Sequence, residues 1–339
     1  MALRLAEIIL PTGNEEIVEV VVKDLKIEEI WHLKVSEKRT MSRVLISSEE
    51  SEALMDALDA RFAGTEGFRV ILHSITAILP REKDGDEEGD EGNDKEKEQE
   101  AKVGRINREE LYGGVGDTSK LTKVYLVTVA LSVIVASIGL VKDNVAVIIG
   151  AMVIAPLLGP NMALSLATTL ADVRLAGLSL RTLAVGIVLT TALALAFGYA
   201  LEVDPTTPEI ASRTNVGLGD VGLALASGSA GALFLTIGIS TALVGVMLAV
   251  AILPPLVTFG LLIGSGNFDL AVDAMLLFST NLICVNLAGV ITFVAQGVRP
   301  RAWWEADKAK KLTAWAITIW CALLTLLIML MVFWGKGGL

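Results

Sequence analysis

Two apolar segments place prolines where main-chain carbonyls become available for chemistry. One reads Gly150-Ala151-Met152-Val153-Ile154-Ala155-Pro156-Leu157-Leu158-Gly159-Pro160-Asn161. The other reads Gly245-Val246-Met247-Leu248-Ala249-Val250-Ala251-Ile252-Leu253-Pro254-Pro255-Leu256. A proline inside a helix removes one amide donor and clashes with the preceding turn. The freed carbonyls need new partners. Hydrocarbon offers them nothing, so irregular backbone at membrane depth must face protein or a wet cavity. The residues expected at such a substrate or ion pathway are Pro156, Gly159, Pro160, Asn161, Pro254 and Pro255, with Asp273, Asn281 and Asn286 as polar lining. Asp273 and Asn281 stand eight apart and share a helix face. Two alternatives stay open: kinks used only for close packing, and asparagines that only bond helix to helix.

Other chemistry is sparse. There is no Ser-His-Asp set, no phosphate-binding glycine loop and no metal-ligand cluster, so an enzyme is not expected and no cofactor or metal is implied. His32 and His73 are far apart and read as ordinary strand residues. Cys284 and Cys321, the only cysteines, lie in apolar stretches and read as buried thiols. The acidic run at 82–101 lacks the spacing of a calcium loop. No signal peptide is expected at the start, because Met1–Pro11 alternates like a strand.

Two kinds of element must position these groups. Residues 1–118 hold 16 Lys+Arg against 28 Asp+Glu, whereas 119–339 hold 12 against 10. The first part therefore reads as soluble and the second as lipid-embedded, which fits 53% hydrophobic residues and a mean hydropathy of +0.63. The acidic balance excludes nucleic acid as a partner, since that needs clustered cations.

Residues 1–81 read as a cytoplasmic domain ordered β-α-β-β-α-β. Strands are expected at 3–10, 30–36, 41–47 and 69–79, with a polar turn at Glu37–Thr40. Ile17, Val18, Val21, Val22 and Leu25 recur at helical spacing, as do Ala53, Leu54, Ala57, Leu58 and Phe62. That order suggests a ferredoxin-like sandwich. Residues 82–103 form an acidic linker expected to be disordered, and 104–123 a juxtamembrane helix.

The transmembrane domain spans 124–339. Charge-free stretches at 124–141, 144–171, 182–201, 221–268, 274–298 and 312–335 make seven spans if 221–268 crosses twice rather than once with a re-entrant loop. Nine Lys/Arg against three favour a cytoplasmic N-terminus and an external C-terminus at the cell membrane. The two proline segments align at an offset of 95 residues, pairing Gly150, Met152, Leu158 and Pro160 with Gly245, Met247, Leu253 and Pro255. Three spans per copy would invert the second copy, giving a 3+3 inverted repeat plus one span. Small residues from Gly222 to Gly231 suit a compact bundle or a homo-oligomer equally.

At these motifs the chain resembles the family catalogued as domain of unknown function 389, the uncharacterised hydrophobic domain membrane proteins. The resemblance rests on Gly139-Leu140, Asp143-Asn144, the run Ile149–Pro160, Ala226–Ala232, Leu243–Leu256 and Asn281-Leu282, and covers about residues 105–300. It implies a membrane location and neither an activity nor a site. Two functions follow as expectations. One is a transporter or channel for a small solute or ion, regulated by the soluble domain. The other is a membrane-anchored sensor or assembly scaffold, with a small-molecule ligand on that domain.

Overall fold

A computed structural model describes residues 3–23, 25, 27–47, 50–75, 106–239, 252–298, 314–315 and 317–329. The acidic linker and the ends of the final apolar stretch lie outside the described residues, as do residues 245–251 of the second proline segment. The chain divides into two compact units, 1–110 and 111–339.

In the first unit the order is β1 (Leu3–Pro11), α1 (Glu15–Val22), β2 (Ile27–Ser36), β3 (Arg39–Ser47), α2 (Ser51–Phe62) and β4 (Arg69–Ser74). All pairings are antiparallel, in the spatial order β2-β3-β1-β4. Alternation puts Ala6, Ile8 and Leu10 of β1 on one face. Val18 and Val22 of α1, with Leu54, Leu58 and Phe62 of α2, cover that face at helical spacing. The turn between β2 and β3 is tighter than expected, because the strands pair until Ser36 meets Arg39. Residues 107–110 close onto this unit. Arg108, its side chain 4% exposed, meets Asp56 at 2.7 Å and Glu52 at 3.4 Å, and Asn107 donates to Ser51 Oγ at 3.1 Å.

The boundary between units falls within α3 (Arg108–Thr118), shorter than the expected juxtamembrane helix. The second unit contains α4 (Lys123–Val141), α5 (Val145–Ile154), α6 (Leu158–Leu170), α7 (Val173–Ala200), the short α8 (Pro208–Ala211), α9 (Leu218–Thr236), α10 (Leu253–Gly264) and α11 (Phe268–Ala295). Four of these, α4, α7, α9 and α11, are long and apolar enough to cross a membrane. The pair α5 and α6, bent by 52°, makes a fifth if counted as one span. Leu253–Gly264 and Ile317–Met329 are shorter apolar helices.

Side-chain caps fix where the first helices start. Thr122, Asn144 and Asp172 accept from the amides of Tyr125, Val147 and Leu175. The cap at Asp172 starts α7 well before its charge-free run. Arg174 and Arg181 therefore lie on α7, exposed, rather than in the loop where a span starting at residue 182 would leave them. Likewise α11 starts at Phe268, so Asp269 and Asp273 belong to its first turns.

The helix bounds recur along the chain. Lys123–Val141 returns as Leu218–Thr236, Val173–Ala200 returns as Phe268–Ala295, and the start at Leu158 returns at Leu253, each 95 residues on (123 to 218, 173 to 268, 158 to 253). The turns recur as well. Positive φ at Asp143 and Ala171 is matched at Gly238 and Gly266. The closing bonds Asn144 N to Gly139 O and Asp172 N to Ala167 O return as Ile239 N to Phe234 O and Asn267 N to Leu262 O. Packing between the halves is reciprocal: α7 of the first lies on α10 of the second, and α11 of the second lies on α6 of the first. A Cβ on Gly260 would strike Ala194, and a Cβ on Gly289 would strike Ser165, at positions again 95 apart (165 to 260, 194 to 289). Reciprocal contact of this kind is what a two-fold relation between halves produces.

Candidate functional site

The prolines sit at helix starts. Pro156 lies in the break at 155–157 between α5 and α6, half-buried. Gly159, Pro160 and Asn161 form the first turn of α6, and Pro254 and Pro255 belong to the first turn of α10. First-turn amides have no carbonyl partner within a helix, so proline is tolerated there. The second proline pair thus opens a helix; what precedes Ile252 lies outside the described residues.

Helix α11 brings the polar residues to these starts. Asn286, fully buried, donates through Nδ2 to both the side-chain and the main-chain oxygen of Asn161, the latter at 3.3 Å. Ser165, one turn along α6, donates to Asn286 Oδ1 at 3.1 Å. Close approach at Gly289 lets the two helices meet here, since a Cβ would sit 2.8 Å from Ser165 Oγ. One donor in this network, Asn161 Nδ2, has no hydrogen-bond partner among the described residues. A buried unsatisfied amide is uncommon and calls for an explanation, an ordered water or an ion among them.

Asn281 lies five residues earlier on α11, about 7.5 Å along the axis. It lines a cleft of about 160 Å³ together with Pro255, Leu277, Ala224, Leu223, Asp220, Arg213 and Ser212. The last two belong to the segment between α7 and α9. Arg213 is drawn to Glu209 at 2.8 Å, and Asp220 turns back to accept from Gly217 N at 2.9 Å. Both charged side chains that line the cleft are thereby engaged by neighbours in the chain.

Of the nine residues expected at a pathway, the structure joins Asn161 with Asn286, and Pro255 with Asn281. Pro160 sits beside Asn161 in sequence, and Gly159 packs against Thr118, where a Cβ would lie 2.6 Å from the threonine Cβ. Asp273, half-buried near the start of α11, does not line the cleft. Ser165 was not foreseen; its signal is the spacing Asn161-x3-Ser165, one helical turn on the same face.

The family model described as domain of unknown function (DUF389) matches residues 152–287. A relative is the uncharacterized protein MJ0678 of Methanocaldococcus jannaschii, 36% identical over 305 residues, which are 90% of this chain and 91% of that protein. The chain belongs to the DUF389 family. The DUF389 match takes in the polar network, the cleft and both proline pairs. No solved structure matches the chain.

Proposed function

We propose that this DUF389 protein is a multi-pass transporter or channel of the cell membrane that carries a small solute or ion. The observation that carries the reading is the arrangement on α11. An open cleft at Asn281 stands about one and a half turns from a buried asparagine network with a spare donor. Polar groups inside an apolar bundle are costly to bury, which makes them candidates for a functional site. The recurrence at 95 residues supports the same reading. Among the described residues α4, α6 and α7 have counterparts in α9, α10 and α11, and three crossings per half would turn the second half upside down. Interrupted helices in paired inverted halves mark substrate sites in secondary transporters. With the N-terminus cytoplasmic, the segment 201–217 and the cleft face outward, and α11 runs inward. A seventh span would carry the C-terminus outside. The N-terminal domain, read as ferredoxin-like, would regulate passage.

The test is efflux from proteoliposomes loaded with a panel of inorganic ions, amino acids and small organic acids. The expected result is release of at least one panel solute faster than from protein-free liposomes. Release of none would contradict the reading.

A second reading, an assembly scaffold or sensor, draws on the edge strand β2. Trp31, Leu33 and Val35 alternate along it and are exposed, which suits pairing with another copy. A Trp31→Lys variant of the full chain would then lose its oligomer on light scattering in detergent. An unchanged mass would count against this reading.

A further inference from the structure

The repeat-equivalent of the open cleft is filled. Shifting the cleft by 95 residues carries Pro255 to Pro160, Leu277 to Thr182, Asn281 to Gly186 and Asp220 to Tyr125. At these positions the ring of Tyr125 packs against α7 in the first half. Tyr125 is 5% exposed, and its hydroxyl donates to the carbonyl of Thr182 at 3.1 Å. A Cβ on Gly186 would overlap that hydroxyl and would also press on Leu157. Thr182 is held in turn, donating to the carbonyl of Ser119 at 2.6 Å.

The difference between the halves traces to four residues. In the second half the N-cap of α9 is Gly217, which has no side chain to cap with, so Asp220 swings back to the Gly217 amide and leaves the cleft clear. In the first half the N-cap is Thr122, which caps the helix through its own hydroxyl. The residue three positions on, Tyr125, is then free to point inward across Gly186.

We infer that the first half carries a second, occluded mouth of the pathway, lined by Pro160, Thr182 and Gly186 and closed by the ring of Tyr125. This rests on the pathway reading above. The mouth lies on the opposite face of the membrane from the open cleft, because the two halves are inverted. The protein then has one open and one plugged access to the network of Asn161, Ser165 and Asn286. Passage requires the Tyr125 ring to leave Gly186, as a gate does.

The test uses the full chain in oriented proteoliposomes with Cys284 and Cys321 replaced by alanine. Single cysteines are placed at the equivalent positions, Leu277→Cys and Thr182→Cys, and probed with a membrane-impermeant trimethylammonium methanethiosulfonate from either face. Leu277→Cys reacts from the face of segment 201–217. Thr182→Cys stays silent with Tyr125 or Tyr125→Phe, which keeps the ring. With Tyr125→Ala it reacts at least about tenfold faster, from the other face, since labelling follows the population of the open form. No gain in Tyr125→Ala, or a gain from the same face as Leu277→Cys, overturns the occluded mouth while the open cleft stands. Normal labelling of Leu277→Cys in the Tyr125→Ala protein shows that this protein is folded. Failure of Leu277→Cys to label from either face overturns the pathway reading, and the occluded mouth with it.

Discussion

Asn286 donates from Nδ2 to the main-chain carbonyl of Asn161, 3.3 Å away and 125 residues distant in sequence. The bond ties α11, in the second half, to the first turn of α6, in the first half. It is the polar member of a pair of otherwise matched contacts. At the equivalent crossing of α7 and α10, the positions of Asn161, Ser165 and Asn286 are taken by Leu256, Gly260 and Thr191. One crossing thus carries a pair of asparagines and the other none. The polar one is where a solute would be handled.

Replacing Asn286 separates the roles of this network. Asn286→Leu removes the donor to Asn161 and the acceptor for Ser165 and is expected to cost about 1–2 kcal/mol, the range for stranding buried polar groups between membrane helices. The loss is read as a lower thermal midpoint in detergent. Efflux of any panel solute should fall by far more than the fraction of protein that unfolds. Full stability with full efflux would remove the network from the account.

The prolines give a different pattern. Pro160 and Pro255 sit in first turns, where no intrahelical bond is lost to the ring. Pro160→Ala and Pro255→Ala should therefore change stability by less than about 1 kcal/mol, well below the cost of a mid-helix proline effect. Efflux should nevertheless drop, because Pro255 lines the cleft. Thermal midpoints and efflux rates of the two variants check this, and wild-type efflux in both sinks the role of the prolines.

Much of this was legible in the residues. The alternation of Ala6, Ile8 and Leu10 and the helical spacing of Leu54, Leu58 and Phe62 announced the N-terminal sheet and its covering helices. The offset of 95, weak as a set of identities, was the frame in which helix bounds and turns recur. Helix starts were less legible. Charge-free runs begin where charge ends, but Asp172 begins α7 at Val173, with Arg174 and Arg181 riding on it. The cleft was hidden for a related reason. Its shape depends on Asp220 folding back to Gly217, whereas Tyr125 points inward, and rotamers of that kind leave no periodic trace.

Helix crossings test the packing between halves. A Cβ at Gly198 would overlap the carbonyl of Leu261, a main-chain atom that cannot rotate away. Gly198→Ala should destabilise the bundle by about 1–3 kcal/mol, as overpacking does. Gly150→Ala, where a Cβ meets nothing within 4 Å, should be close to neutral. Equal thermal midpoints for the two variants would contradict the close crossing of α7 and α10.

The N-terminal unit makes its own prediction. Arg108 is the cation between Glu52, Asp56 and Glu109, with its side chain buried and the acids part-exposed. Arg108→Ala leaves three carboxylates crowded without it and should destabilise the unit by about 2 kcal/mol, less than for a fully buried pair. Limited proteolysis of the full chain, with cleavage inside 1–75 as the readout, checks this. Unchanged cleavage would mean that the cluster is held by solvent alone.

Solute passage through the cleft at Asn281 is tested by blocking that cleft in a working protein. In the cysteine-free background, Leu277→Cys is reacted with the impermeant methanethiosulfonate, and efflux of a solute released by the wild type is measured before and after. Glu202→Cys, exposed in the segment 201–217 and outside the cleft lining, serves as control. Passage through the cleft predicts that modification at 277 abolishes efflux and that modification at 202 leaves it unchanged. Undiminished efflux through protein fully modified at 277 would contradict it.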